Sequence, residues 1–304
     1  MREFSEETLT EAVVGRLKDV KDPRFKQVME SAIRHLHAFA RDVQLTEEEW
    51  FEGIKFLTAT GQKCDDKRQE FILLSDVLGL SMMVVALNSR AAQGATESTV
   101  LGPFFVPGAP DYEYGADLSA TATVPGEPTW VAGRVLSTDG KPIAGATLEI
   151  WQSRADGMYD VQDPQAGHEL RGRLRSNAEG RYAFRTHKPK YYPVPTDGPV
   201  GRLLDAMGRH PMRPAHMHAI VSAPGYQQVI THVFAEGDPY LDSDVVFAVK
   251  DSLIAEYRKV ESPEEAKRLG MPSPFLRLDW DFHLSPADGG KTRQAISARD
   301  AVKS

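Results

Sequence analysis

The hydrophobic period of this 304-residue chain changes once, from about 3.6 residues before position 88 to two after it. A helix cannot bury an alternating pattern on one face, and a strand cannot bury a helical one, so the chain must place helices first and a sheet after them. Asp22 followed by Pro23 is a helix start, with the carboxylate as N-cap and proline at the first helical position. Phe25, Met29, Ile33, Leu36 and Phe39 then recur at helical spacing, an apolar stripe suited to packing. Thr46 and Glu49 form a capping box ahead of Trp50, Ile54 and Leu57. A third helix is expected from about Asp66, carrying Phe71, Leu73, Leu74, Val77, Leu78, Leu80 and Val84. It is apolar nearly all round, which calls for burial against other helices or a lipid-like ligand, the former expected.

Beyond a linker, Val131, Gly133 and Val135 alternate, Asp139-Gly140 turns the chain, and Ala146, Leu148 and Ile150 alternate again. Residues 181–186, 215–222, 228–234 and 276–284 read as further strands separated by turn residues, and residues 244–257 as a short helix. The expected fold is mainly β: an antiparallel β-sandwich preceded by an α-helical domain. The boundaries are residues 1–95 for the helices and linker, 96–286 for the sandwich, and 287–304 for a polar tail.

The net charge of −7 argues against a nucleic-acid surface, which needs a basic patch. Cys64 is the sole cysteine, so an internal disulfide and any cysteine-rich metal site are excluded. The opening residues lack the apolar core of a secretory signal, and the longest apolar run, 77–87, is short of the roughly 18 residues that span a bilayer. A cytoplasmic protein without membrane insertion is expected.

Chemistry concentrates in Arg213-Pro-Ala-His216-Met-His218. On a strand, His216 and His218 share one face and Met217 and Ala219 the other, so the two imidazoles can hold one transition-metal ion or join a cross-strand polar network. A hairpin centred on Pro224-Gly225 brings His232 about opposite His216 on the same face, as a third ligand or a hydrogen-bonding partner. Tyr159 ends a loop after a strong strand, and Tyr192 lies in a proline-stiffened loop; singly, each reads as an amphipathic packing residue.

Taken together, Gly-x-Tyr159, Tyr192-Pro-x-Pro-x-Asp-Gly-Pro-x-Gly and Arg213-Pro-Ala-His216-x-His218 resemble the intradiol ring-cleaving dioxygenases, non-haem Fe(III) enzymes that open catechol rings. The resemblance covers nearly the whole chain. Ala95-Thr-Glu-Ser-Thr-Val-Leu-Gly-Pro-Phe104 is similar to the family's lead-in to the sandwich, and the helical third to the dimerisation domain of its catechol branch. It implies four iron ligands, Tyr159, Tyr192, His216 and His218, with the Tyr-Pro-x-Pro match favouring Tyr192 over Tyr191. It also implies Tyr192 as a base toward the diol, Arg213 as stabiliser of charge on the ring, O2 as co-substrate and a muconate product. His232 stands where many plain catechol enzymes carry glutamine, a departure that bears on substrate choice.

Leu73-Leu-Ser-Asp76 puts a carboxylate in an apolar helix, costly to bury without a partner. This segment, and Asp238-Pro-Tyr-Leu-Asp242-Ser-Asp-Val-Val-Phe247, resemble the hydroxyquinol-cleaving members. The resemblance implies a pocket of Leu73, Asp76, Val100, Gly102, Pro103, Phe104, Val194, Pro195 and Phe247, with hydroxyquinol as substrate and catechol or chlorocatechols as the nearest rivals. It further implies a homodimer through the helices, with a phospholipid lodged between them. Two rivals of other kinds are a transthyretin-like binding module and an Fe(II) or manganese enzyme using the histidine pair with Glu236. Both would lack the red colour of tyrosinate on Fe(III).

Overall fold

A computed structural model of the chain describes residues 4–65, 68–89, 92–163 and 166–287. Nearly all of the expected C-terminal tail, from residue 288 on, lies outside the described residues. The chain divides into two compact units, Met1–Ala59 and Thr60–Ser304.

The first unit holds α1 (Leu9–Val14), α2 (Pro23–Asp42) and most of α3 (Glu47–Gln62). Both caps form as expected. The Asp22 carboxylate accepts from the Arg24 and Phe25 backbone N–H groups, and Thr46 and Glu49 bond reciprocally. The apolar stripe of α2, however, is not buried in the chain: Phe25, Val28, Leu36 and Phe39 are exposed, as are Trp50, Phe51, Ile54 and Leu57 on α3.

The second unit opens with α4 (Glu70–Val77) and α5 (Leu80–Asn88), which meet at 78°. The single long helix expected here is therefore broken. Gly79 between them has φ +75°, a left-handed turn that glycine adopts without cost. Among the described residues no single helix is long and apolar enough to cross a membrane. α4 buries Leu73, Asp76 and Val77, whereas Leu80, Met83, Val84 and Leu87 of α5 are exposed. Burial against protein thus holds for one half of the segment only.

The sandwich follows. Its first sheet centres on β1 (Pro128–Ser137), and its second begins with β2 (Thr147–Gln152) and β3 (Arg171–Arg175). β4 (Arg181–His187) pairs antiparallel with β1. A short ribbon pairs β5 (Tyr192–Pro193) with β6 (Met212–Arg213), flanking α6 (Pro199–Ala206). β7 (His216–Ser222) joins β2 antiparallel, and β8 (Val229–Ala235) joins β7. β9 (Ile254–Ala255) pairs parallel with β8; β10 (Arg258–Val260), α7 (Pro263–Leu269), β11 (Phe275–Asp279) and β12 (Phe282–Leu284) complete the order. β11 and β12 both run parallel to β1, so the expected antiparallel sandwich gains parallel pairs at the strands that return last.

The expected helix over 244–257 is absent. The Asp244 carboxylate accepts from the Val246 and Ala248 N–H groups, a local alternative to helical bonding. The core between the sheets takes Val131, Val135, Phe184, Leu278 and Phe282 from one side and Leu148, Ile150, Met217, Ala219 and Val233 from the other. With Met217 and Ala219 committed to that core, alternation turns His216 and His218 to the opposite face.

Candidate metal centre and its cavity

The outer face of the second sheet is roofed by loops, and under that roof four donor atoms converge. Tyr159 Oη lies 3.3 Å from Tyr192 Oη, 3.4 Å from His216 Nε2 and 3.1 Å from His218 Nε2. His216 Nε2 lies 3.5 Å from Tyr192 Oη and 3.1 Å from His218 Nε2. Each side chain has a local reason to be there. His216 and His218 come from the alternation of β7. Tyr192 pairs with Arg213 in the β5–β6 ribbon, while Tyr191 turns the other way to meet Tyr240. Tyr159 is braced by Phe104, stacked at 4.4 Å, and by its neighbour Asp160, whose carboxylate takes a bidentate bond from buried Arg171.

The cluster has more lone pairs than protons. His216 Nδ1 lies 2.7 Å from the Pro214 carbonyl, which can only accept, so the ring proton is there and Nε2 is bare. Five short donor-to-donor distances then share at most three protons, from two phenols and His218. Burial holds all three histidines, His216, His218 and His232, well below the usual imidazole range, keeping them neutral and ready to ligate. Burial also raises both phenols, so a proton leaves only if a cation replaces it. Donors about 2.0–2.1 Å from one ion in tetrahedral array stand about 3.3–3.4 Å apart, close to the observed spacing. The residues present fit a metal ion.

His232 is buried in the same cluster, and it pairs with His218 rather than His216, which faces Phe234. The hairpin is centred on Gly225, slightly further along than expected, and this shifts the partner by two residues. Its Nδ1 bonds to Thr99 Oγ1. Arg213 lies inside the site, with Nη1 3.4 Å from Tyr192 Oη and 3.3 Å from His216 Nε2. Its charge is held against burial by Asp244, which receives Nε and Nη2. Glu236 lies away from the cluster, in a cleft with Lys190 and Tyr191.

A cavity of about 350 Å3 reaches Tyr192 and Arg213. Leu73, Asp76, Val100, Gly102, Pro103, Phe104, Val194 and Pro195 all line it. Phe247 does not: its backbone has φ +60° after a turn on Asp244, and the ring is 53% exposed, over Arg209 and Gly79. Val246 takes its place in the wall. Gly102, at φ +76°, brings its backbone against His218, where a Cβ would stand 3.2 Å from Cε1. Sequence reasoning found Arg213 but missed the acid that holds it, Asp244, and the supporting pair Asp160 and Arg171. Their only signal was an acid beside a candidate ligand or within a hydrophobic run. Asp160→Ala leaves the Arg171 charge buried and unpaired, so we expect a loss of about 3–5 kcal/mol in urea unfolding.

Comparison with known proteins decides the family. A model for the dioxygenase domain matches residues 100–286, and one for the catechol dioxygenase N terminus matches residues 22–96. The chain belongs to the intradiol dioxygenase family. Among its relatives in that family is the 6-chlorohydroxyquinol 1,2-dioxygenase of Cupriavidus pinatubonensis, 54% identical over 94% of this chain and 99% of the relative. The hydroxyquinol 1,2-dioxygenase of a Rhizobium species is 50% identical over 93% and 96%. The crystal structure of hydroxyquinol 1,2-dioxygenase from Pseudomonas putida DLL-E4 superposes with a TM-score of 0.87 at 50% identity, over 93% of this chain and 99% of that one. Catechol 1,2-dioxygenase from Pseudomonas arvilla C-1 is more distant, at 31% identity and a TM-score of 0.80, over 95% and 94%. Membership of this enzyme family sets aside the non-catalytic binding module.

Proposed function

We propose that this intradiol dioxygenase cleaves hydroxyquinol, 1,2,4-trihydroxybenzene, between its adjacent hydroxyls. Tyr159, Tyr192, His216 and His218 hold Fe(III). Both atoms of O2 enter the product, 3-hydroxy-cis,cis-muconate, the enol form of maleylacetate. Two phenolate oxygens are hard, anionic donors that favour the ferric ion, while imidazole suits either oxidation state. When bound by these four residues, ferric iron would supply a Lewis acid for the oxygens of the diol. The protein's own groups do the rest. Tyr192 is the phenolate beside both Arg213 and the cavity, placed to accept a proton from the incoming diol. Arg213, fixed by Asp244 in a dry site, stabilises negative charge developing on the ring. Apolar walls from Val100, Pro103, Phe104, Val194 and Val246 offer the ring faces a flat, water-poor slot.

The observation that carries the choice of substrate is Asp76. It is a 5% exposed carboxylate set in the apolar wall of the cavity, and an ionised oxygen there can accept from the third ring hydroxyl. Asp76→Ala is expected to lower kcat/KM for hydroxyquinol by about 10- to 100-fold, the value of a hydrogen bond to a charged group, with catechol turnover much less affected. If the unaltered enzyme prefers catechol or 4-chlorocatechol, the substrate assignment is wrong.

Burial raises the Asp76 carboxyl to about 6, opposed by the Ser81 hydroxyl and the Arg213 charge. That carboxyl takes up its proton as pH falls through about 6 and then no longer accepts as an anion. The preference for hydroxyquinol over catechol should therefore decline from pH 7 to pH 5, and this slope should vanish in Asp76→Asn.

We also place the protein as a homodimer through its helices, with a phospholipid-like molecule against them. The support is the run of exposed large apolar side chains on α2 and α3 and, separately, on α5, more than a soluble monomer usually shows. Light scattering should give twice the chain mass, and a chain eluting as a monomer free of lipid would contradict this.

A further inference from the structure

Two ring nitrogens on one cross-strand pair are buried without a hydrogen-bond partner. His218 and His232 face each other directly across β7 and β8, with ring centroids 4.3 Å apart and planes inclined by 56°. His218 gives Nε2 to the four-donor cluster, 3.1 Å from both His216 Nε2 and Tyr159 Oη, and its Nδ1 is an orphan. His232 gives Nδ1 to Thr99 Oγ1, and its Nε2 is the second orphan. A buried polar nitrogen without a partner is costly, and two on facing rings solve each other's problem if one donates and the other accepts.

His216 shows the completed arrangement, with Nε2 in the cluster and Nδ1–H on the Pro214 carbonyl. A metal-bound imidazole nearly always gives its second N–H to such an acceptor, which fixes the tautomer and the ring plane. Among the described residues no carbonyl plays that part for His218, whose Nδ1 has no hydrogen-bond partner. Trp151, stacked on it at 4.5 Å and 11°, offers only a ring face and a donor N–H.

We infer that His232 is the positioning residue for His218, its Nε2 lone pair accepting from His218 Nδ1–H through one bridging water, the two atoms not being in direct hydrogen-bond contact. Thr99 completes the relay. When His232 Nδ1–H donates to Thr99 Oγ1, the free lone pair is left on Nε2, the side His218 needs. Thr99 is 3% exposed and its N–H bonds to the Ile230 carbonyl, so the relay is anchored on β8. Thr99 also precedes Val100 and Gly102 of the cavity wall, which ties ligand orientation to the substrate pocket. The nitrogens of His216, His218 and His232 lie within 4.8 Å of one another, but His232 Nε2 reaches none of the four donor atoms by hydrogen-bond distance, so it supports the centre rather than joining it.

The inference rests on the ferric reading of the site, and its test separates the two. Iron affinity would be measured by competition with a chelator, alongside the visible band, for the iron-loaded enzyme and for His232→Leu, His232→Gln and Thr99→Val. The expected result is that His232→Leu binds iron about 10- to 100-fold more weakly, with a shifted band and an unchanged far-ultraviolet circular dichroism spectrum. His232→Gln, whose amide oxygen also accepts, should recover most of the affinity and the band position, and Thr99→Val should fall between. Equal affinity in His232→Leu and the parent, or equal loss in the Leu and Gln variants, would overturn the inference. X-ray absorption on the unaltered enzyme should count two imidazoles, and a count of three would make His232 a ligand and overturn it too. Should His232→Leu not fold, Thr99→Val and the imidazole count decide the matter. Parent enzyme that binds no iron overturns the ferric reading and this inference with it; a red parent with insensitive variants overturns this inference alone.

Discussion

His218→Ala is expected to yield a colourless protein that turns over hydroxyquinol on the order of 10³-fold more slowly, or worse, since a Lewis-acid contribution worth several kcal/mol goes with the metal. The substitution removes one of four converging donors and empties a place between Trp151 and His232. Stability and chemistry must therefore be read apart. Iron content per chain by mass spectrometry reports the first donor set directly, and the thermal midpoint of the metal-free protein reports the packing. Tyr159→Phe is the cleaner companion, because it deletes one hydroxyl and keeps the ring stacked on Phe104. It should weaken the visible band and lower iron content. Full iron, full colour and full activity in Tyr159→Phe would show that its oxygen is not a ligand.

The second large effect belongs to Arg213. Arg213→Met should reduce kcat by about 10²–10³, the usual loss when a fixed donor to developing charge is removed. It also leaves Asp244 a buried charge without its counter-ion, held only by backbone N–H groups, at a cost of about 3–5 kcal/mol in stability. The double variant Arg213→Met with Asp244→Asn separates these effects: stability should return while kcat stays low. Recovery of kcat in the double variant would mean that Arg213 acts only by satisfying Asp244.

The order of helices and strands was legible because local chemistry carries it. The Asp22 and Thr46–Glu49 caps, the alternation in β1, β2, β4, β7 and β8, and the face shared by His216 and His218 all follow from side chains a few residues apart. Long-range pairing was not legible. Residues 276–284 read as one strand, yet the chain breaks at Trp280 and Asp281 to run two segments parallel to β1. β3 was missed because Arg171-Gly-Arg-Leu-Arg175 shows no apolar alternation; Arg171 is buried there only because Asp160 pairs with it. The helical faces misled in another way. Phe25, Leu36 and Phe39 have core spacing but no core to meet within the chain, since periodicity marks a face for burial and says nothing of what covers it. Within the site, tyrosines 33 residues apart could be joined only by family resemblance, and Phe247 was lost to a backbone turn that no side-chain pattern announces.

The most direct measurement is a visible absorption spectrum of the purified protein, read with its iron content, before and after anaerobic addition of hydroxyquinol. One iron per chain with a broad tyrosinate-to-iron band that shifts as the diol binds is the predicted result. Iron-loaded protein that stays colourless, or whose band ignores hydroxyquinol, would contradict a centre built from Tyr159, Tyr192, His216 and His218.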